Sequence, residues 1–331
     1  MSGEQMPTIL DAARRYTAAG LSVIPIRLGG HKSPAVDEWA QYEQRIANEQ
    51  ELVAMFSRNV GLAVIGGMVS GGLEILDFDK PDLFNVWMGD LAELDPTIHE
   101  LAESLPRVYT PALGMHLYYR CPEISGNTKL AKAKTAFVDC TGKSKTVLIE
   151  TRGEGGYVLA PPSPAGCHKA NRAYEWIGGA KLTEVPTITP EQRALFWDAA
   201  RSYNEVAVAS PQNSEHHALH GAGRPGDDFN ATGPSWSEIL TPHGWTSAGC
   251  RGDCERWRRP GKTDGISATT GHCGDKLYVF SSNAAPFDSE RAFDKFAAFA
   301  LLNHKGDFGA AAKELAAEGY GERHPGPPPL D

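Results

Sequence analysis

No apolar run in the chain approaches the roughly 18 to 20 residues a membrane-spanning helix needs. The first residues, Met1 to Gln5, lack the basic-then-apolar layout of a secretion signal. A cytosolic protein with no membrane contact is the expectation. Cysteine is sparse, six residues without a dense even framework, which excludes a disulfide-stapled scaffold and fits a reducing compartment. Excess positive charge is absent too. The formal net charge of −9 argues against indiscriminate nucleic-acid binding and leaves room only for a local basic track. Internal repeats are lacking, and so is a phosphate loop. Gly261-Lys262-Thr263 has Arg256 where that loop needs glycine, and Gly142-Lys143-Ser144 has Phe137 there, so the chain holds no helicase motor of this kind.

What is present is length and core material for about two domains, with 331 residues of which 41% are hydrophobic. Thr8 reads as the N-cap of a helix carrying Ile9, Ala12, Ala13 and Tyr16 and stopped at Gly20, after which Leu21 to Ile26 reads as a strand. A helix around Asn48 to Phe56 follows, then strands at Val60 to Ile65 and Leu73 to Asp79 and helical segments from Asp82 to Ser104. Further strands are expected at Met115 to Tyr119, Thr146 to Thr151 and Tyr157 to Ala160. A stretch bearing Pro, Ser, Asn and His, Val206 to Gly223, separates this mixed α and β region from a second one. There Phe293, Phe296, Ala297 and Ala300 recur at helical spacing, and Phe308 to Ala317 makes another helix. The expected organisation is a first domain over 1–205, a linker over 206–223, a smaller α+β domain over 224–321 and a Pro-rich stretch over 322–331.

The chemistry concentrates in Leu73-Glu74-Ile75-Leu76-Asp77-Phe78-Asp79. Alternation along a strand puts Leu73, Ile75, Asp77 and Asp79 on one face, so two carboxylates aim at one point. Such a pair is costly unless a cation neutralises it, and hard ions such as Mg²⁺ or Mn²⁺ prefer oxygen ligands. The plainer reading is a solvated pair at a strand end. Around His116 the same alternation aims His116, Tyr118 and Arg120 together, and in the next strand Leu148, Glu150 and Arg152 share a face. Three strand-borne carboxylates with a histidine and an arginine suit phosphoryl transfer assisted by two metal ions. Asp77, Asp79 and Glu150 would hold the metals, and His116 and Arg152 would offset phosphate charge. A histidine merely satisfied in its strand, and an Arg152–Glu154 surface pair, are the bland alternatives.

Two basic stretches stand out against the acidic whole. Lys129, Lys132, Lys134, Lys143 and Lys145 face the single acid Asp139, and Arg251, Arg256, Arg258, Arg259 and Lys262 surround Trp257, a ring on which a base would stack. Solvated surface is the competing reading for both. Cys250 and Cys254 precede His272 and Cys273 by about twenty residues and would close a structural Zn²⁺ site, although adjacent His272 and Cys273 are awkward as joint ligands. Cys121, Cys140, Cys167 and His168 form a weaker zinc grouping, and His216, His217 and His220 fall in the expected linker. Glycines at Gly153 to Gly156 suit a tight hairpin better than a nucleotide cradle.

The ordered set Lys32-x-Pro34, Leu73 to Asp79, Gly114-Met115-His116-Leu117-Tyr118-Tyr119 and Ile149-Glu150-Thr151-Arg152-Gly153-Glu154-Gly155-Gly156-Tyr157 through Ser163 resembles the bifunctional primase-polymerase family of the archaeo-eukaryotic primase superfamily. The likeness runs from about residue 8 to 178, ending at Tyr174-Glu175-Trp176. It implies an α/β (α+β) catalytic domain built on a mixed sheet, with Asp77 and Asp79 as the first acidic motif, His116 as the nucleotide-binding histidine and Glu150 as the third metal-binding acid. Lys32, for which an exposed loop lysine is the plainer reading, and Gly114 would join His116 and Arg152 at the nucleotide. Two departures are Gly114, where the superfamily often has Ser, and Glu150, where Asp is frequent. A glycine amide would still approach a phosphate, and Glu still supplies oxygen.

That resemblance implies a DNA-dependent nucleotidyltransferase making and extending primers in phage or plasmid replication, in a bacterial host's cytosol. Its partners would be single-stranded DNA, nucleoside triphosphates and a replicative helicase, carried in the same longer chain or separate. Residues 224–321 resemble, less specifically, the segment that follows the catalytic domain in actinobacterial phage replication proteins, and primer or template handling is the expectation there. The rival readings are an inactive origin- or single-strand-binding module and a metal-dependent nuclease. Intact Asp77, Asp79, His116 and Glu150 speak against the first.

Overall fold

Thr8 and Asn48 each close a capping box with the acid three residues on, Asp11 and Glu51, and so start helices α1 (Ile9–Ala18) and α2 (Glu49–Phe56). The computed structural model describes residues 8–206, the backbone of 208 and 209, 223–271 and 274–321. The chain divides into two compact units, Met1–Ala200 and Arg201–Asp331. Nearly all of the stretch expected to link two domains, and the Pro-rich stretch 322–331, lie outside the described residues. No helix among the described residues is long and apolar enough to cross a membrane.

The first unit contains β1 (Val23–Ile26), β2 (Gly61–Ile65), β3 (Leu73–Phe78), β4 (Arg107–Tyr109), β5 (Met115–Arg120), β6 (Lys129–Val138), β7 (Ser144–Arg152), β8 (Tyr157–Leu159) and β9 (Glu175–Gly178). They form a three-stranded sheet, β1-β2-β8, and a six-stranded one, β6-β7-β3-β5-β4-β9. The α+β class is as expected, but the sheet is not mixed. Every pairing between these nine strands is antiparallel.

Strand β3 is buried at all six positions and so needs cover on both faces. On one side Leu73, Ile75, Val108 and Tyr118 share a core with Val23, Ile24, Leu62 and Val64 of the smaller sheet. On the other, Phe78 meets Phe84 and Trp87 of α3 (Leu83–Leu94), with ring centroids 5.2 and 5.3 Å away. Trp87 in turn meets Phe196 of α5 (Pro190–Arg201) at 5.5 Å. Between α3 and α5 comes α4 (Pro96–Ser104), which begins where the Asp95 carboxylate accepts the N–H groups of Thr97 and Ile98.

Glu74 points to the helix-covered side and is fully buried. Its carboxylate accepts from Tyr119 Oη at 2.5 Å and from Arg193 Nε and Nη2 at 2.7 and 2.8 Å. Arg193 also lies 3.8 Å over the ring of Trp197. A buried charge is tolerated here because its oxygens are paired.

In the second unit β10 (Val208–Ala209), β11 (Thr246–Arg251), β12 (Cys254–Arg258), β13 (Ala268–Gly271), β14 (Gly274–Val279) and β15 (Arg291–Phe293) form one sheet in the order β10-β15-β14-β13-β12-β11. Helices α6 (Pro225–Thr232), α7 (Trp236–Leu240), α8 (Lys295–His304) and α9 (Phe308–Ala317) accompany it. Phe229, Trp236, Trp245, Trp257, Leu277 and Phe293 belong to its core.

Candidate active site

Asp77 is the centre of a row. Across β3 and β5 it stands opposite His116, and across β3 and β7 opposite Glu150. Residues directly opposite in antiparallel strands point to the same face with Cβ atoms about 4.5–5.5 Å apart, so Glu150, Asp77 and His116 lie side by side. Asp79 follows β3, and its N–H continues the ladder by donating to the Leu148 carbonyl at 2.9 Å. Leu73 to Phe78 form this strand because apolar residues fill both faces around the polar positions, and the row follows from the pairing.

All three row members are buried. A cleft of about 310 Å³ between the two sheets is lined by Lys32, Asp77, His116, Arg152, Tyr157 and Tyr174, among others. Arg152 donates to Glu150 Oε1 and brings Nε to 3.8 Å from Asp77 Oδ2, so the expected alternative of a surface pair with Glu154 does not hold. Glu154 instead accepts the Met68 N–H at 2.9 Å. Lys145 Nζ donates to Asp79 Oδ1 at 2.5 Å and stands 3.6 Å from Asp139 Oδ2.

Burial raises the pKa of Asp77, against the pull of Arg152 and Lys32. Burial and the charge of Asp77 raise that of Asp79, and burial raises that of Glu150, with Arg152 opposing and both aspartates adding. His116 is pushed down to about 3 by burial and then by Lys32 and Arg152. Its ring is therefore neutral near pH 7, with Nδ1 3.2 Å from Tyr118 Oη and Nε2 3.5 Å from Asp77 Oδ1. Lys32 lines the cleft from an exposed loop position, and partial desolvation by the surrounding protein lowers its pKa despite Asp77.

Three carboxylates whose pKa values rise through shared burial and proximity form an oxygen-only set that chemically suits a hard divalent ion. Among the described residues, however, no three His, Cys, Asp or Glu side chains are gathered closely enough to hold one. Arg152 pairs with Glu150, and Lys145 with Asp79.

Several expected site residues have other tasks. The Gly114 N–H donates to Thr110 Oγ1 at 3.0 Å and is not directed at a phosphate. A Cβ at Gly114 would meet the Phe78 carbonyl at 2.1 Å, so close packing of β5 against β3 is what demands glycine there. Trp257 is only 1% exposed, packs in the core of the second unit and donates from Nε1 to Thr270 Oγ1 at 3.0 Å, so no base stacks on it. Arg256 is buried as well. Arg258 donates to the Gly265 carbonyl, Arg259 to that of Pro260 and Lys262 to that of Ile266, each at 3.0 or 3.1 Å, so these cations brace their own loop.

His272, Cys273 and the three linker histidines lie outside the described residues. Of the zinc set only Cys250, exposed on β11, and Cys254, half-buried on β12, are described. Cys121, Cys140, Cys167 and His168 do not converge, and His168 Nδ1 accepts the Ala170 N–H at 3.0 Å. Gly153 to Gly156 make a turn closed by the Gly156 N–H on the Gly153 carbonyl at 3.0 Å, with Gly155 and Gly156 lining the cleft.

Sequence reasoning missed Lys145 as a partner of Asp79. Lys145 stands on β7 five residues before Glu150, and alternation within β3 says nothing of which side chain of another strand reaches Asp79.

Fold and site define an α+β domain with an acidic, cation-lined cleft between two antiparallel sheets. The model of the bifunctional DNA primase/polymerase N-terminal domain matches residues 13–191, more than half of the 331, and the chain belongs to that family. No curated protein matches the chain. Membership gives a primase/polymerase-type function, with DNA and nucleotides as substrates, and domains of this family generally depend on divalent metal.

Proposed function

We propose that the first unit is a DNA-dependent primase-polymerase, a nucleotidyltransferase that makes primers from nucleoside triphosphates on single-stranded DNA and extends them in phage or plasmid replication. One observation carries the reading: Glu150, Asp77 and His116 occupy a single row on three adjacent strands, with Asp79 continuing β3. Asp77, Asp79 and Glu150, drawn closer together than they stand here, would hold two Mg²⁺ or Mn²⁺ ions. When bound, such ions supply a more acidic primer 3′-hydroxyl and neutralise triphosphate charge.

The protein's own residues do the rest. His116, neutral and buried, offers a hydrogen bond to a phosphate oxygen without adding charge. Arg152 and Lys32 line the same cleft and offset phosphate charge. As phosphate enters, Arg152 can exchange Glu150 and Asp77 for phosphate oxygens, which frees the carboxylates for metal.

Labelled nucleotides and a single-stranded template test this. The parent chain should build labelled products, and the Asp77→Asn/Asp79→Asn double variant should lose at least about a hundredfold in rate while staying folded. Shortened template without product would favour the nuclease reading, and binding without either reaction would favour an inactive module.

A further inference from the structure

Tyr174 lies immediately before β9, at the outer edge of the six-stranded sheet. It is 4% exposed, yet it lines the cleft with Asp77, His116 and Arg152. Its ring centroid is 5.9 Å from that of His116, with the planes 33° apart, and 6.2 Å from His168. Four tyrosines of the same unit each have a partner. Tyr16 donates to the Pro161 carbonyl at 2.7 Å, Tyr119 to Glu74 at 2.5 Å and Tyr157 to the Lys32 carbonyl at 3.1 Å, while Tyr118 sits 3.2 Å from His116 Nδ1. The Tyr174 hydroxyl has no hydrogen bond to any described residue, and its oxygen is not fully sealed from solvent.

A phenol in a cleft wall that bonds nothing in the protein keeps its donor and acceptor free for what enters the cleft. Charge says which part. The cations Lys32 and Arg152 answer phosphates, and the carboxylates answer metal. Tyr174 is neutral, and burial beside Asp77 keeps its phenol protonated. A template-copying enzyme must accept every base, which rules against a hydrogen bond to one base edge. The neutral, hydroxyl-bearing part common to all four nucleotides is the sugar.

We infer that Tyr174 is a substrate-contacting residue whose hydroxyl hydrogen-bonds a sugar hydroxyl of the incoming nucleotide. The inference rests on the polymerase reading above.

Dissociation constants of ATP, 2′-deoxyATP, 3′-deoxyATP and 2′,3′-dideoxyATP, measured with Mn²⁺ for the parent chain and for Tyr174→Phe, test it. The variant should bind about fivefold more weakly every nucleotide that keeps the contacted hydroxyl, and as tightly as the parent any analogue lacking it. The insensitive analogue then tells 2′ from 3′, and equal dideoxy binding shows that the ring and fold are intact. Weakening of all four alike would assign the phenol to phosphate or base, and no weakening would make it idle. Either result overturns the inference. So does a parent that binds all four equally well, a result that needs no variant. A parent that binds no nucleotide would sink the polymerase reading itself.

Discussion

Lys145 and Asp79 are joined by a 2.5 Å hydrogen bond, with Asp139 standing 3.6 Å from the same ammonium. Burial works against the charge of Lys145, but Asp79, Asp77 and Asp139 outweigh it and raise its pKa. The pair fixes Asp79, two residues beyond Asp77, by means of a lysine on β7, the strand that also carries Glu150.

Lys145 therefore competes with any divalent ion for Asp79. Lys145→Met should tighten Mn²⁺ binding about tenfold, the value of a charged hydrogen bond, and should slow nucleotide incorporation because Asp79 is no longer held in place. Mn²⁺ titration and incorporation assays check the two effects, and unchanged metal affinity would refute the competition.

His168 gives a pH dependence of stability. Burial, then Lys32 and Lys145, lower its pKa to about 4 from the usual 6.5. Between those values the unfolded chain binds a proton that the folded one refuses. The contribution is thus complete above pH 6.5 and is lost as pH falls toward 4, with a slope of at most about 1.4 kcal/mol per pH unit. In His168→Asn, whose amide oxygen still accepts from Ala170, urea unfolding at pH 5 and pH 7 should differ less than in the parent.

Glu74 and Arg193 test the far side of β3. Arg193→Met leaves a buried carboxylate short of its cation and should cost about 3–5 kcal/mol, whereas Glu74→Gln/Arg193→Met should recover part of that loss. Denaturant unfolding of the two variants decides it. A double variant as unstable as the single one would mean that packing, not charge, sets the cost.

Trp257 separates core from nucleic-acid contact. Trp257→Ala should destabilise the second unit by about 3–5 kcal/mol, as removal of a buried indole does. Below its unfolding temperature, single-stranded DNA binding should be unchanged. Weaker binding with parental stability would restore the stacking role.

The strands that carry the Glu150–Asp77–His116 row were legible because Asp77 and Asp79, His116 and Tyr118, and Glu150 and Arg152 each keep a two-residue spacing that a short window captures. Which strands neighbour each other was not. That Asp77 would stand between His116 and Glu150 depends on pairings spanning dozens of residues, and only the family resemblance supplied that order. The ten-residue β6 reads as a lysine track because its cations flank Leu130, Ala131 and Ala133, which are buried but do not alternate. Trp257 misled for the converse reason. Its flanking arginines suggested surface, whereas Arg258, Arg259 and Lys262 turn their charges onto nearby carbonyls and leave the ring to the core.

Burying β3 on both faces while giving each face its own carboxylate makes misalignment of that strand expensive. Were β3 to slip by one residue against β5 and β7, Asp77 would turn toward Trp87 and Phe196, and Glu74 would turn away from Arg193. Each acid would then lie in an apolar wall without a counter-ion, at a cost of several kcal/mol. The residues that equip the cleft thereby also proofread the assembly of the sheet that carries them.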